Sequence, residues 1–151
     1  MTPSTMHTET TVYINGNSGR NFAWKSDNAY VRISAEDSGG KYSLIEDNLT
    51  TEFHLPRHMH REHTETFYVI SGKVEFRMDD RTLVMTTGDT LRIAPGDPHE
   101  VICIEPAKML TMYEPAGLEK LFAAYAEMSP EDMSKPEKYR EIDLAYDNIM
   151  L

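Results

Sequence analysis

Between Tyr30 and Met112 the chain alternates short runs rich in Val, Ile, Thr, Tyr and Phe with breaks at Gly, Asp, Asn or Pro. That rhythm predicts strands bounded by turns. Eight runs qualify: YVRIS, KYSLIED, TFYVI, KVEFRM, TLVMT, TLRI, EVICI and KMLTMY. Eight short strands in succession indicate an all-β fold of the sandwich or jelly-roll kind. Only Ser71 and Gly72 separate TFYVI from KVEFRM, and Asp79 and Asp80 separate KVEFRM from the run after it. The spacing therefore predicts two tight hairpins and a three-stranded meander.

After Pro115 the apolar period lengthens to that of a helix. Leu118, Leu121, Phe122 and Tyr125 fall at i, i+3, i+4 and i+7, and Ser129 followed by Pro130 reads as an N-cap with proline in the first helical position. Tyr139, Ile142, Tyr146 and Ile149 form a second set, preceded by Ser134 and Glu137 in capping-box spacing. Two short amphipathic helices are expected to close the chain as a cover packed on the β domain. The segment before Asn28 is polar, with Phe22 and Trp24 as its large apolar anchors, and reads as an arm with one short strand. The expected organisation is an arm over 1–28, a β domain over 29–114 and a helical extension over 115–151.

Composition narrows the function. A chain of 151 residues fits one domain, burying roughly 70% of the surface its unfolded chain exposes. Fifteen Lys and Arg stand against 25 Asp and Glu, a formal charge of −10 with no basic stripe, so nucleic acid is not an expected partner. Cys103 is the single cysteine, which excludes an intrachain disulfide and a cysteine-rich metal site and suits a reducing compartment. The first eleven residues lack a basic start and an apolar stretch, and no run approaches a membrane span, so a cytoplasmic protein is expected.

The candidate chemistry is concentrated in HMHREHTETFYVISG, residues 58–72, since four of the six histidines lie between His54 and His63. On a strand, residues i and i+2 share a face about 6.6 Å apart, so His58 and His60 project together while Met59 points away. Glu65 follows after four intervening residues, room for a turn that returns its carboxylate to the same point. It would lead a face shared with Phe67 and Val69, with Tyr68 and Ile70 on the other. Downstream, GDTLRIAPGDPHEVIC places His99 after a turn, on a face with Val101 and Cys103. If both faces look inward, His58, His60, Glu65 and His99 form a three-His, one-Glu set. Such a set suits one divalent transition metal ion, Fe, Mn, Ni, Co, Cu or Zn, better than Ca or Mg. His63 and Glu62 read as loop-crest residues, His54 as a strand-edge histidine, and Met59, Met78, Met85, Met109 and Met112 as core filler.

These stretches resemble the two cupin motifs, commonly written G-x5-H-x-H-x(3,4)-E-x6-G and G-x5-P-x-G-x2-H-x3-N. The departures are Glu52 for the first glycine, Ala94 for the proline and Cys103 for the asparagine, none at a ligand position. The tail EPAGLEKLF is similar to the Pro-Ala-Gly-led helix of small quercetinase-like single-domain cupins. The resemblance implies a double-stranded β-helix, the cupin jelly-roll barrel, with one metal inside it and often a homodimer.

Four protein ligands in a five- or six-coordinate shell leave an open position, the mark of a catalytic rather than a structural site. Glu65 is the one ligand that could also accept a proton, which makes it the candidate catalytic residue. Phe67, Val101 and Cys103 are the candidate substrate-pocket residues, although Cys103 also reads as a small buried hydrophobe. By analogy with the family, the expected activity is a quercetinase-like dioxygenase acting on an aromatic or enolisable small molecule with dioxygen. The alternatives are a metal-dependent isomerase, cyclase or lyase with Glu65 moving protons, and a small-molecule-binding cupin without catalysis.

Overall fold

The computed structural model describes residues 8–151; residues 1–7 of the expected arm lie outside the described residues. Nine strands, all paired antiparallel, form the described fold: β1 (Arg20–Ala23), β2 (Asn28–Ile33), β3 (Ser43–Leu49), β4 (His54–Met59), β5 (Thr64–Met78), β6 (Thr82–Met85), β7 (Thr90–Ile93), β8 (His99–Glu114) and β9 (Ile149–Met150). One path runs β1-β2-β3-β8-β4-β9, and β5 pairs with β6, β7 and β8. The result is the double-stranded β-helix of a jelly roll.

Two strands set the frame. In β8 the inward residues His99, Val101, Cys103, Ala107, Met109, Thr111 and Tyr113 alternate with more exposed ones, the period of two that one buried face requires. β5 is antiparallel to it along its length, from Glu65 opposite Tyr113 to Met78 opposite His99. Inside lies an apolar core in which Phe67 and Phe76 meet at 4.8 Å between ring centroids. A second cluster, with Phe22, Val31, Ile45 and Leu118, seals β1 and β2 against the C-terminal segment.

The structure corrects the first of the two hairpins. Ser71 and Gly72 do not reverse the chain; they form a bulge within β5, where the register on β8 shifts between Val69 and Val74. Inward parity passes from Glu65, Phe67 and Val69 to Val74 and Phe76 across it. The physical reason is that EVICI and KMLTMY are one long strand, β8, so both halves of β5 find a partner without turning back. Gly72 has φ +87°, and a Cβ there would sit 2.2 Å from the Pro106 carbonyl oxygen, so a glycine serves as a close-approach residue as well as it serves a turn. The second hairpin forms as expected, with the Met78 amide donating to the Arg81 carbonyl at 2.8 Å between β5 and β6. β4, which carries Pro56, is tolerated through a register shift between Leu55 and His58.

The C-terminal segment forms three helical pieces rather than two: α1 (Lys120–Ala126), the single turn α2 (Pro130–Met133) and α3 (Pro136–Ala145). Ser129 caps α2 as expected, accepting from the Asp132 amide at 3.1 Å. The capping box at Ser134 does not form. Ser134 closes α2, its hydroxyl donating to the Glu131 carbonyl, and Pro136 opens α3 after Lys135. Ile149 is not helical, because Asp147 takes a left-handed backbone, φ 57°, and releases the chain into β9. Buried Glu119 ties α1 to the β domain by accepting from the Ala35 and Gly117 amides at 2.9 and 2.8 Å. Among the described residues no helix is long and apolar enough to cross a membrane.

Candidate metal centre

Register brings the four candidate ligands together. His58 near the end of β4 lies directly opposite His99 at the start of β8, and their rings stand 4.2 Å apart. His60 follows β4 immediately, and Glu65 is the second residue of β5. One ligand atom from each of the four lies within 4.8 Å of all the others. Relative exposures of 1, 4, 4 and 1% for His58, His60, Glu65 and His99 place the cluster in the interior, where four such polar groups need a reason to be.

The imidazoles are oriented for coordination. Nδ1 of His58 contacts the Pro56 carbonyl at 2.7 Å, Nδ1 of His60 the Asp147 carbonyl at 2.8 Å, and Nδ1 of His99 the Asp97 carbonyl at 2.9 Å. A carbonyl can only accept, so each Nδ1 carries the proton, the usual outer support of metal-binding histidines. Each Nε2 turns into the cluster, that of His99 lying 2.9 Å from Glu65 Oε2. His60 Nε2 has no hydrogen-bond partner among the described residues, although Glu65 Oε2 lies 3.3 Å away outside hydrogen-bond geometry. An orphaned ring nitrogen facing two other imidazoles and a carboxylate is the donor set a borderline divalent cation satisfies.

The electrostatics agree. Burial, and secondarily the neighbouring His99, pushes the His58 imidazole down to about 4, so it stays neutral. Burial works against the Glu65 carboxylate, but contacts with His60 and His99, the latter at 2.9 Å, outweigh it and hold the carboxyl well below the usual range. Burial also opposes charge on His60, and its approach to Glu65 overrides that and raises it. The protein thus presents an anion among imidazoles at neutral pH, complementary to a dication.

Sequence reasoning missed Asp147. Its backbone carbonyl holds His60, while its carboxylate accepts from the Arg61 and Glu62 amides at 2.8 and 2.9 Å and meets His63 Nδ1 at 2.7 Å. Burial would raise its carboxyl, but the His63 contact and the two amides bring it below the usual range. His63 and Glu62 lie on the loop outside the cluster, as their position between ligands suggests. An Asp-Asn pair after a helix signals a turn, yet nothing local tells which loop it reaches. The C-terminal extension is therefore more than a cover. Replacing Asp147 with Ala frees this loop and should weaken metal affinity by about 10–100-fold with the fold retained, measured by competition against a chromogenic chelator.

Above the cluster opens a cavity of about 520 Å³ whose lining includes His58, His60, Glu65, Phe67, Val101 and Met109. Its outer part is aromatic, with Trp24, Phe53, Phe122, Tyr125 and Tyr139 drawn from the arm, a loop and the helices. Trp24 packs edge-on against Phe122 at 5.4 Å and stacks on Phe22 at 5.6 Å. Of the three expected pocket residues, Phe67 and Val101 line this cavity. Cys103 does not: it lies outside the lining, opposite Val74 in the apolar core, while β8 meets the cavity on either side of it, at Val101 and at Met109. His54 reaches the lining from the strand edge, paired with Glu100 at 2.7 Å. A larger cavity of about 680 Å³, bordered by α2, α3 and β9, touches none of the four cluster residues.

Residues 50–113 match the family model described as a cupin domain. No curated protein matches the chain by sequence. Solved structures share the fold at low identity. KdgF from Halomonas sp. superposes with a TM-score of 0.64 at 12% identity, over 72% of this chain and 99% of that one. The polyketide cyclase RemF from Streptomyces resistomycificus gives 0.61 at 17%, over 88% of this chain and 99% of that one. Ectoine synthase from P. lautus gives 0.56 at 17%, over 64% and 70%.

Proposed function

We propose that this chain, whose residues 50–113 match a cupin domain, is a metal-dependent enzyme acting on an aromatic or enolisable small molecule by non-redox chemistry, as a cyclase, lyase or isomerase. The observation that carries this reading is the placement of the His58, His60, Glu65 and His99 cluster in the lining of a cavity whose outer part is aromatic. A divalent ion bound there supplies Lewis acidity to a substrate oxygen. The three histidines serve as fixed donors, each locked through Nδ1. The recorded contacts of Glu65 fall on Oε2, which leaves Oε1 to take a proton from a neighbouring hydroxyl. Trp24, Phe122 and Tyr125 orient a flat ring and exclude water from the inner wall. The likeness to RemF, named a polyketide cyclase, over most of both chains supports this class.

A second reading, a quercetinase-like dioxygenase, draws on the ligand set and on the Pro-Ala-Gly turn that leads into α1. The two readings part on oxygen. Protein purified without chelator should contain near-stoichiometric transition metal by elemental analysis. Incubated with flavonols and related enediols, it should consume substrate equally with and without air under the first reading and only with air under the second. A metal-loaded protein that leaves the whole panel intact would count against both. Glu65→Gln should retain part of the metal and lower turnover about 10²–10⁴-fold, the usual contribution of a positioned base. Turnover equal to the unaltered protein would remove the proton-transfer role from Glu65.

A further inference from the structure

A second pair of ionisable groups lies in the lining of the same cavity, and neither belongs to the cluster. Asp47 occupies the middle of β3, where Ser43, Ile45 and Leu49 mark the buried face, so a carboxyl sits at a position that alternation reserves for an apolar side chain. Asp27 precedes β2 and bridges to Leu49 across the chain. Each is 8% exposed and both line the cavity; Leu49, the cross-strand partner of Asp27, shares a buried face with Asp47 two residues earlier, so the two carboxyls are diagonal neighbours on that face. Asp47 Oδ2 accepts from the Thr111 hydroxyl at 2.7 Å. Asp27 Oδ1 is buried with no hydrogen-bond partner among the described residues. The other groups acting on the pair are the charges of Glu65 and Glu46 beside Asp47 and the Asn48 backbone beside Asp27. Among the described residues no Lys, Arg or His forms an ion pair with either.

Two neighbouring carboxyls in a low-dielectric wall do not both ionise. Burial, then the Asp47 charge, raises Asp27 to about 9, and burial raises Asp47 as well. An apolar pair would fill this wall at lower desolvation cost. We propose that Asp27 and Asp47 share one proton and form a second acid–base site, which exchanges protons with a carbonyl or hydroxyl of the substrate lying at the His–Glu cluster. The inference rests on the reading under Proposed function and adds residues to it. A pair holding one proton is acid and base together. Its ionised half takes a proton from a substrate C–H or O–H while its protonated half gives one to a substrate oxygen. The double bond shifts between the two substrate atoms, and the pair again holds one proton. The substrate class is then a carbonyl compound that tautomerises, or cyclises through its enol, beside an aromatic ring.

Infrared difference spectroscopy of the metal-loaded protein at neutral pH tests this, with 4-nitrocatechol as the probe. Trp24, the only tryptophan, lines the cavity and reports occupancy by fluorescence quenching. The expected result is a protonated-carboxyl stretch that moves in D₂O, disappears in Asp27→Asn and in Asp47→Asn, and shifts when 4-nitrocatechol quenches Trp24. Whichever variant keeps the wild-type circular dichroism decides, so a misfolded one does not. Absence of the band, its persistence in the folded variant, or a band unmoved by bound probe would each overturn the proposal. Failure of the metal to bind would instead show directly in the elemental analysis and overturn the enzyme reading on which the proposal stands.

Discussion

Replacing His99 with Ala should lower the metal content from near one ion per chain to below about a tenth, with affinity down by more than about 100-fold, since the outer partners of a ligand are already worth 10–100-fold. His99 is fully buried, faces His58 across the β4–β8 ladder and meets Glu65 at 2.9 Å. Its loss removes a donor and also leaves Glu65 with only the off-axis approach of His60. His58→Ala should behave alike, because it breaks the same cross-strand pair. Elemental analysis and chelator competition measure the effect, and circular dichroism should show the β fold intact, because the apolar core around Phe67 and Phe76 does not depend on the cluster. Full metal occupancy in both variants would mean that the four side chains do not bind one ion.

Gly72→Ala should be the most destabilising of the conservative substitutions. At φ +87° an L side chain is strained, and its Cβ would stand 2.2 Å from the Pro106 carbonyl oxygen and 2.5 Å from the Ala107 Cα. Both obstacles are backbone of β8, which is held between β3, β4 and β5, so neither moves cheaply. Strain of about 1–3 kcal/mol and overpacking of about 1–3 kcal/mol combine to roughly 2–6 kcal/mol. At about 2–4 °C per kcal/mol for a chain of this size, thermal unfolding resolves it readily. Gly88→Ala is the control: it has φ +88° but no atom within 4 Å of the added Cβ, so only the strain applies. Equal losses in the two variants would show that the contact with β8 is not tight.

A Ser-Gly pair between two apolar runs signals a hairpin, and at Asp79 and Asp80 the same kind of signal is right. At Gly72 it is wrong, because a bulge and a turn ask for the same backbone freedom, and the choice depends on whether a partner strand is long enough to continue. That partner, β8, reads in the sequence as two runs, EVICI and KMLTMY, separated by Glu105, Pro106 and Ala107. Pro56 and Pro136 show the same limit: each has a local meaning, but neighbouring strands and turns decide whether a strand bends through it or a helix begins at it.

By itself the sequence determined the strand-rich character of the domain, the helical close and the four residues His58, His60, Glu65 and His99, because period, capping chemistry and ligand spacing are all local properties of the chain. The alternation that puts His99 and Val101 on one face is written in β8 alone. Only the tertiary structure decided that Asp147 supports His60 across 87 residues of sequence, that Cys103 falls outside the cavity while Phe67 lines it, and that Asp27 and Asp47 share its wall. Contacts between distant segments depend on how far each strand runs before the barrel curves away, and that is set by the packing of all the strands together rather than by the residues at either end of the contact.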